Sequence, residues 1–349
     1  MTAVSQLRWD PLTQNWVIIT SSQGRRPGDF ILEREQVTMD SCPFCYGHEG
    51  RTTAELFAVR PDGSQANAPG WQVRVIPNKY PALGIEGNLD KRGVGIYDVM
   101  NGIGAHEIVI ENPDHQRSLA ELAPDEIRNI LKAYRARLLD LRRDSRFQTV
   151  IVFKNHGLEA GAAIPHSHSQ IVAVPVLPPR QASELKTCRE YFDRKERCLL
   201  CDLLQQELEM KAGIVRDDGH FVVFAPYASR YPFELRIAPR RHAHDFALQN
   251  DQELLQLAET IKNTLLRLRA VLRDPPYNLV LQTAPPMHER VGRPALWNSL
   301  PYDYHWYLEI IPRLTKTAGF ERGTGFTMNP TAPEEAAAFL RDADLSSVD

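Results

Sequence analysis

The sequence predicts an α+β fold made of two related halves, each an antiparallel sheet with one long helix packed on it. Three observations support this prediction. Each half begins with a Cys-x-x-Cys pair, continues with strand-like runs rich in β-branched and aromatic residues, and contains one long segment with apolar residues at three- and four-residue spacing. Because the features recur in the same order along the 349 residues, an internal duplication explains them most simply.

The first half begins at the pair Cys42 and Cys45. Pro124, followed by the acidic residues Asp125 and Glu126, is typical of the first turn of a helix. The predicted elements of this half, in chain order, are strands at residues 71–77 and 107–111, a helix at residues 124–143, and strands at residues 149–153 and 168–177.

The second half begins at the pair Cys198 and Cys201. Its predicted elements, in chain order, are strands at residues 220–225 and 233–238, a helix at residues 251–272, and strands at residues 278–282 and 305–314. One further helix is predicted at residues 333–342. The Pro-rich connection at Pro178 and Pro179 divides the chain into two predicted domains, residues 1–178 and 179–349.

The composition excludes several classes of protein. A formal charge of -3 argues against nonspecific nucleic-acid binding, which needs a clustered basic surface. We find no apolar run as long as a membrane span and no signal-peptide core at the N-terminus, so a cytoplasmic protein is expected. Four of the five cysteines form the two Cys-x-x-Cys pairs, which in a reducing compartment indicate metal or redox use.

The segment 155–175 contains the residues on which we expect the chemistry to depend. His166, His168 and Gln170 alternate along a run that becomes apolar, so in an extended strand they point to one face. Ser167 and Ser169 point to the other face. A neutral imidazole can bind a metal or act as a nucleophile, and an amide can bond a phosphoryl oxygen.

A Cys-x-x-Cys pair supplies two thiolate ligands of a tetrahedral zinc site, and histidines elsewhere complete it. In the first half the candidates are Cys42, Cys45, His115 and one histidine of the 166/168 pair. In the second half they are Cys198, Cys201, His242 and His305, with His244 and His288 as alternatives. A site with four protein ligands leaves no open position for water, so both zinc ions are expected to be structural.

Several motifs occur together along nearly the whole chain: Arg25-Arg-Pro27, Cys42-Pro-Phe-Cys45, residues 75–83, Asn112-Pro-Asp-His115, Asn155 and the His-x-His-x-Gln of residues 166–170. On these motifs the chain resembles the galactose-1-phosphate uridylyltransferase family, a double-domain branch of the histidine-triad superfamily. The resemblance implies that both halves are histidine-triad-like.

The resemblance assigns roles to these residues. It implies that His166 is a zinc ligand, that His168 is the nucleophile that takes up a nucleotidyl group, and that Gln170 contacts the phosphoryl oxygens. It also implies that the other nitrogen of His168 donates to the main-chain carbonyl of His166. Further candidate substrate contacts are Arg26, Asn78, Asn155 and the backbone near Gly161.

Two departures from the family pattern bear on the substrate. The best-known uridylyltransferases have Pro and Gly where this chain has Ser167 and Ser169, and they can carry a second metal site built from a glutamate and three histidines. Bacterial and archaeal uridylyltransferases with the serine form also exist, so this difference does not decide the substrate. Glu184 matches that glutamate, whereas the histidine positions hold Gln282, Glu309 and Ile311, so we expect that site to be absent. The serine form of the motif and the second cysteine pair are similar to those of a plant-type ADP-glucose phosphorylase.

The function predicted from the sequence is transfer of UMP from UDP-glucose to galactose 1-phosphate by ping-pong kinetics through nucleotidyl-His168. The alternatives are adenylyl transfer from ADP-glucose to phosphate by the same mechanism, hydrolysis of a nucleotide, and a non-catalytic zinc-containing module that binds nucleotides. Gln170 stands where hydrolytic histidine-triad relatives have a third histidine, which favours transfer. The expected partners are a nucleotide sugar, a sugar 1-phosphate and a second copy of the chain in a homodimer, with neither nucleic acid nor membrane.

Overall fold

The structure is a computed structural model that describes residues 4–20, 24–30, 42–61, 63–288 and 297–346. Within these ranges the strands are β1 Gln6–Asp10, β2 Asn15–Ile19, β3 Phe57–Val59, β4 Val73–Pro77, β5 Arg92–Val94, β6 Tyr97–Val99, β7 Ala105–Ile110, β8 Thr149–His156, β9 His168–Val174, β10 Ile214–Asp217, β11 Phe221–Phe224, β12 Leu235–Pro239, β13 Tyr277–Gln282, β14 Tyr307–Pro312 and β15 Thr327–Asn329. The helices of the same ranges are α1 Pro124–Leu141, α2 Pro179–Lys195, α3 Leu199–Met210, α4 Asp251–Leu272, α5 Leu300–Asp303, α6 Gly319–Thr324 and α7 Pro333–Arg341.

Each half contributes one side of a central ten-stranded sheet, in the order β10-β11-β12-β14-β13-β8-β9-β7-β4-β3. From the centre outward, the strands of the first half follow the order β8-β9-β7-β4-β3, and the corresponding strands of the second half follow the order β13-β14-β12-β11-β10. The halves join where β8 pairs antiparallel with β13, and this register sets Asn155 opposite Asn278. The pairing leaves neither inner strand with an open edge, which would otherwise be a site of aggregation.

The helices α1 and α4 pack on one face of this sheet. Their apolar stripes meet alternate strand residues such as Val109, Ile171 and Leu279 in the largest hydrophobic cluster. Asn250 caps α4 by accepting from the backbone amides of Gln252 and Glu253, while Pro124 begins α1. The predicted α+β fold, with a long helix packed on the sheet in each half, is therefore confirmed. Two further helices of the second half, the 17-residue α2 and the 12-residue α3, were not predicted from the sequence.

The opposite face of the sheet differs between the halves. In the second half α2 and α3 cover it, and their apolar residues pack against Val222, Phe224 and Ala238. In the first half this face carries His168 and Gln170, which lie opposite Ile110 and Ile108 of β7. The site residues of the central segment therefore lie on the side of the sheet away from the long helices.

Segments near the two ends of the chain meet in a three-stranded sheet, in which β15 pairs in parallel with β2. Asp10 accepts from Arg236 at 2.9 Å, and Arg8 bonds Glu334 at 2.7 Å. The N-terminal hairpin thus packs on the second half, although it precedes the predicted boundary. The division at residues 178 and 179 stays a prediction; in the structure α2 begins there, at Pro179. Among the described residues no helix combines the length and apolar character needed to cross a membrane.

Candidate active site

His168 is the first residue of β9 and is buried, with 7% of its surface exposed. Its Nδ1 lies 2.8 Å from the main-chain oxygen of His166, the contact that the resemblance implies. A carbonyl oxygen can only accept, so Nδ1 carries the hydrogen and Nε2 keeps its lone pair. Burial, together with the nearby charge of Lys154, holds the pKa of His168 below its usual value. The side chain is therefore a neutral imidazole with a free Nε2 near pH 7.

Phe44 packs edge-on against both central histidines. Its ring centroid lies 5.5 Å from that of His168 and 6.2 Å from that of His166. Since Phe44 lies between Cys42 and Cys45, the first cysteine pair also fixes the ring that orients His168.

Cys42, Cys45, His115 and His166 bring their ligand atoms within 4.8 Å of one another. The distances from sulfur to Nδ1 are 3.8 Å for Cys42 to His166, 3.7 Å for Cys45 to His166 and 3.3 Å for Cys45 to His115. Tetrahedral zinc with ordinary bond lengths separates a sulfur from a nitrogen by about 3.6 Å. The four residues therefore fit the ion.

The imidazole of His166 is held in the tautomer that a metal requires. Its Nε2 donates to the main-chain oxygen of Asn112 at 2.8 Å, so Nδ1 carries the lone pair that faces the cysteines. Burial lowers the pKa of His166 to about 4, so the ring is neutral.

A second group consists of Cys198, Cys201, His242 and His305, again within 4.8 Å. Cys201 Sγ lies 3.3 Å from Nδ1 of His242 and 3.4 Å from Nδ1 of His305. His242 Nε2 donates to the main-chain oxygen of Pro301 at 2.9 Å, which again leaves Nδ1 free to bind. A hydrogen bond from Cys201 lowers the pKa of the Cys198 thiol to about 3. The alternatives His244 and His288 lie outside this group.

Behind the central histidines lies a buried polar network that the sequence did not reveal. Glu111 accepts from Lys154 at 2.7 Å, from Ser167 at 2.6 Å and from Ser169 at 2.9 Å. Lys154 also donates to the main-chain oxygen of His168 at 3.1 Å. The two serines of the motif therefore anchor β9 from the helix side of the sheet. Their need for buried partners was the signal that could have found Glu111.

Gln170 belongs to a series of side-chain contacts on the face of the sheet away from α1 and α4. Its Oε1 lies 2.7 Å from Nε2 of His106, and the amide nitrogen of Asn78 lies 3.2 Å from the same imidazole nitrogen. The structure thus connects Asn78 to Gln170 through His106. Sequence reasoning missed His106 because the strand was predicted to begin one residue later, at Glu107.

Asn155 and Gly161 lie together beside the centre of the sheet. Asn155 accepts from Asn278 at 2.8 Å, and its amide nitrogen lies 3.4 Å from the Gly161 oxygen. Gly161 has a φ of 92°, a conformation that favours glycine. Its own N–H donates to Leu158 at 2.7 Å within the turn, so in this structure that amide is already engaged.

Arg26 is exposed and lines an open cavity of about 530 Å³ with Glu335, Phe339 and Asp342. These partners belong to α7 or follow it directly. The structure gives no contact between Arg26 and His168 or Gln170 among the described residues, and a role at the phosphates stays a prediction.

At the position of the family's second metal site, a guanidinium joins two buried carboxylates. Arg180 donates to Glu184 at 2.9 Å and to Glu309 at 2.7 Å, and Tyr307 donates to Glu184 at 3.1 Å. The positive charge of Arg180 therefore pairs with both carboxylates.

The chain is similar in sequence and in fold to known proteins. The family described as "Galactose-1-phosphate uridyl transferase, N-terminal domain" matches residues 1–178. An ADP-glucose phosphorylase of Arabidopsis thaliana is 37% identical over 98% of this chain and 93% of its own length. A galactose-1-phosphate uridylyltransferase of Thermotoga maritima is 26% identical over 97% of this chain and 99% of its own. The crystal structure of an Arabidopsis thaliana ADP-glucose phosphorylase with bound ADP-glucose has a TM-score of 0.81 and 36% identity, with 99% and 100% of the chains covered.

The shared fold and these similarities define the class of protein, which is an enzyme of the nucleotidyltransferase type. More closely, the chain belongs to the galactose-1-phosphate uridyl transferase family. The family predicted from the motifs is therefore confirmed.

Proposed function

We propose that the protein transfers a nucleotidyl group from a nucleotide sugar to a phosphate-bearing acceptor through a covalent intermediate on His168. The observation that carries this proposal is the hydrogen bond from His168 Nδ1 to the carbonyl of His166 at 2.8 Å. It directs the lone pair of a neutral imidazole outward on Nε2, which is what an in-line attack on phosphorus requires.

In the first half-reaction, Nε2 of His168 attacks the α-phosphorus of the nucleotide sugar. The new N–P bond forms as the P–O bond to the sugar 1-phosphate breaks, and the sugar 1-phosphate leaves with the bonding electron pair. In the second half-reaction, a phosphate oxygen of the acceptor attacks the same phosphorus, and the N–P bond breaks. The lone pair returns to Nε2, so no net proton is consumed.

The phosphoryl oxygens gain charge during both steps and need donors that are already in place. Gln170 lies on the same face of the sheet as His168, two residues further along β9. Asn155 is the neighbouring amide on β8. These side chains are the donors we propose, with Asn78, Arg26 and the turn at Gly161 as further substrate contacts.

We propose zinc in both Cys2His2 groups. Cys42, Cys45, His115 and His166 would hold one ion, and the second group would hold the other; a bound zinc with four protein ligands supplies cross-linking rather than reactivity. The residues of this chain supply the positioning. The main-chain carbonyl of His166 accepts the hydrogen bond from His168, so any group that holds His166 in place also holds the nucleophile in place.

Two substrate pairs suit this mechanism. The sequence predicted uridylyl transfer from UDP-glucose to galactose 1-phosphate, and the family description together with the Thermotoga maritima relative supports it. Adenylyl transfer from ADP-glucose to phosphate is the second candidate, because the Arabidopsis thaliana ADP-glucose phosphorylase is 37% identical to this chain over the aligned residues, against 26% for the Thermotoga maritima relative.

The intact mass of the protein after incubation with UDP-glucose or ADP-glucose separates these candidates. A uridylyl adduct discharged by galactose 1-phosphate supports the first pair, and an adenylyl adduct discharged by phosphate supports the second. The His168→Asn variant is the control and should form neither adduct. If zinc-loaded wild-type protein forms no adduct with either sugar, the covalent mechanism is wrong, and hydrolysis or simple nucleotide binding replaces it.

A further inference from the structure

We propose that His106 is a positioning residue that fixes which end of the Gln170 amide faces the substrate. The inference rests on the proposed function, in which Gln170 donates to the phosphoryl oxygens. It concerns a residue outside the His-x-His-x-Gln motif, on the neighbouring strand β7.

The tautomer of His106 follows from its neighbours. The backbone N–H of Ala82 donates to Nδ1 of His106 at 3.3 Å. A backbone amide can only donate, so Nδ1 has the lone pair and, in the neutral ring, Nε2 carries the hydrogen. That hydrogen points at Oε1 of Gln170 across a distance of 2.7 Å.

Asn78 holds the same ring from the side. Its Oδ1 accepts from the backbone N–H of Tyr80 at 2.9 Å, which assigns the two ends of the Asn78 amide. The amide nitrogen of Asn78 therefore faces His106 and can donate only toward the lone pair of Nδ1, at 3.5 Å. It also lies 3.2 Å from Nε2, but both of those groups carry hydrogens, so that approach is a packing contact and not a hydrogen bond. With Ala82 and Asn78 on one side and Gln170 on the other, the half-buried imidazole has a defined place.

The consequence for Gln170 concerns its two chemically opposite ends. A glutamine amide presents an oxygen acceptor and an NH₂ donor that have nearly the same shape. Since His106 donates to the oxygen, the NH₂ group remains for the substrate. Without His106, rotation by half a turn would direct the oxygen at an anionic phosphoryl group, and electrostatic repulsion would replace a hydrogen bond.

Single-turnover formation of the nucleotidyl adduct tests this role. Removal of a transition-state donor typically costs about 10²-fold or more in rate. We expect His106→Ala to slow adduct formation by roughly 10- to 100-fold, with little change in the nucleotide-sugar concentration that gives half-maximal rate. His106→Gln puts an amide donor near the position of Nε2 and should recover most of the rate. His220→Ala, at an exposed histidine, is the matched control and should leave the rate unchanged.

A double-mutant cycle separates positioning from general damage to the fold. If His106 acts through Gln170, then His106→Ala should have almost no further effect on the rate in a Gln170→Ala background. Additive losses in the cycle, or a full rate in His106→Ala alone, would overturn the proposal while leaving the nucleotidyl-His168 mechanism intact. Absence of any adduct in the wild-type protein would overturn both. Zinc content and thermal midpoint are measured for each variant, so that an unfolded protein is recognised.

Discussion

The carboxylate of Glu111 lies 2.7 Å from the ammonium group of Lys154, and both side chains are fully buried behind the strand that begins at His168. Burial alone would raise the pKa of Glu111, but Lys154 and the hydroxyls of Ser167 and Ser169 hold it below its usual value. The ion pair therefore persists at neutral pH and anchors the backbone on which the nucleophile depends.

Breaking this pair should destabilise the protein strongly. Glu111→Gln leaves the charge of Lys154 buried without a counter-ion, and such a change costs about 3–5 kcal/mol in the free energy of unfolding. Urea denaturation measures the difference. The matched control is Glu190→Gln, which removes an exposed pair with Lys186 and should cost less than about 1 kcal/mol. Equal stability of the Glu111 variant and the wild type would contradict the network.

Metal analysis tests the two Cys2His2 groups separately. We expect two zinc ions per chain, with one lost in Cys42→Ser and the other lost in Cys198→Ser. Cys188 is also buried but lies in neither group, so Cys188→Ala should retain both ions. Because ligand binding stabilises the native state, a chelator that removes the zinc should lower the thermal midpoint. A Cys42→Ser protein with its full zinc content would show that the first group is not a metal site.

The acidic side chain of Glu207 should make stability depend on pH. Burial, with a contribution from Glu334, raises the pKa of Glu207 to about 7 from an unfolded value near 4.5. The folded protein therefore binds the proton more tightly than the unfolded chain, and stability falls as the pH rises from 4.5 to 7.

Glu207→Gln removes this dependence. The variant should be more stable than the wild type by roughly 1–3 kcal/mol at pH 8, with a difference that shrinks toward pH 5. Thermal unfolding over this pH range measures it, and Glu209→Gln on the exposed side of α3 serves as control. A pH-independent difference between Glu207→Gln and the wild type would contradict the raised pKa.

Gly157, which begins the turn between Asn155 and Gly161, should not tolerate a side chain. Its φ of 81° and ψ of 155° are restricted almost entirely to glycine, and a Cβ would lie 2.8 Å from Pro276 Cβ. Gly219 also has a positive φ, of 85°, but has open space around it. Gly157→Ala should therefore lower the free energy of unfolding by at least about 1 kcal/mol more than Gly219→Ala. Equal losses would show that the contact with Pro276 relaxes freely.

Much of the fold was accessible from the sequence because the signals are local. The helix predicted at residues 251–272 is α4, with the same ends, since its apolar spacing and its cap at Asn250 depend only on neighbouring residues. The alternation of His166, Ser167, His168, Ser169 and Gln170 likewise predicted which side chains share a face. The cysteine pairs predicted the two clusters because four of the five cysteines form them, whereas the 11 histidines left the choice of the completing ligands open.

The parts that were missed depend on contacts between distant residues. No local pattern indicates that β8 pairs with β13, because the apolar sequence of an inner strand does not depend on which strand lies beside it. Lys154 directly follows the apolar run of residues 150–153, and only the fold places it 2.7 Å from Glu111. Two further contacts depend on the fold in the same way. His106 contacts Gln170, which is 64 residues away in the sequence, and Arg180 contacts Glu309, which is 129 residues away.

The most direct test of the covalent mechanism is to locate the nucleotidyl group after reaction with the nucleotide sugar. The labelled protein is digested under mildly alkaline conditions, in which a phosphoramidate survives, and the peptide that contains His166 and His168 is sequenced by tandem mass spectrometry. The covalent mechanism predicts the added mass on His168 and an unmodified His166. A nucleotidyl group on any other residue would contradict the assignment of His168 as the nucleophile.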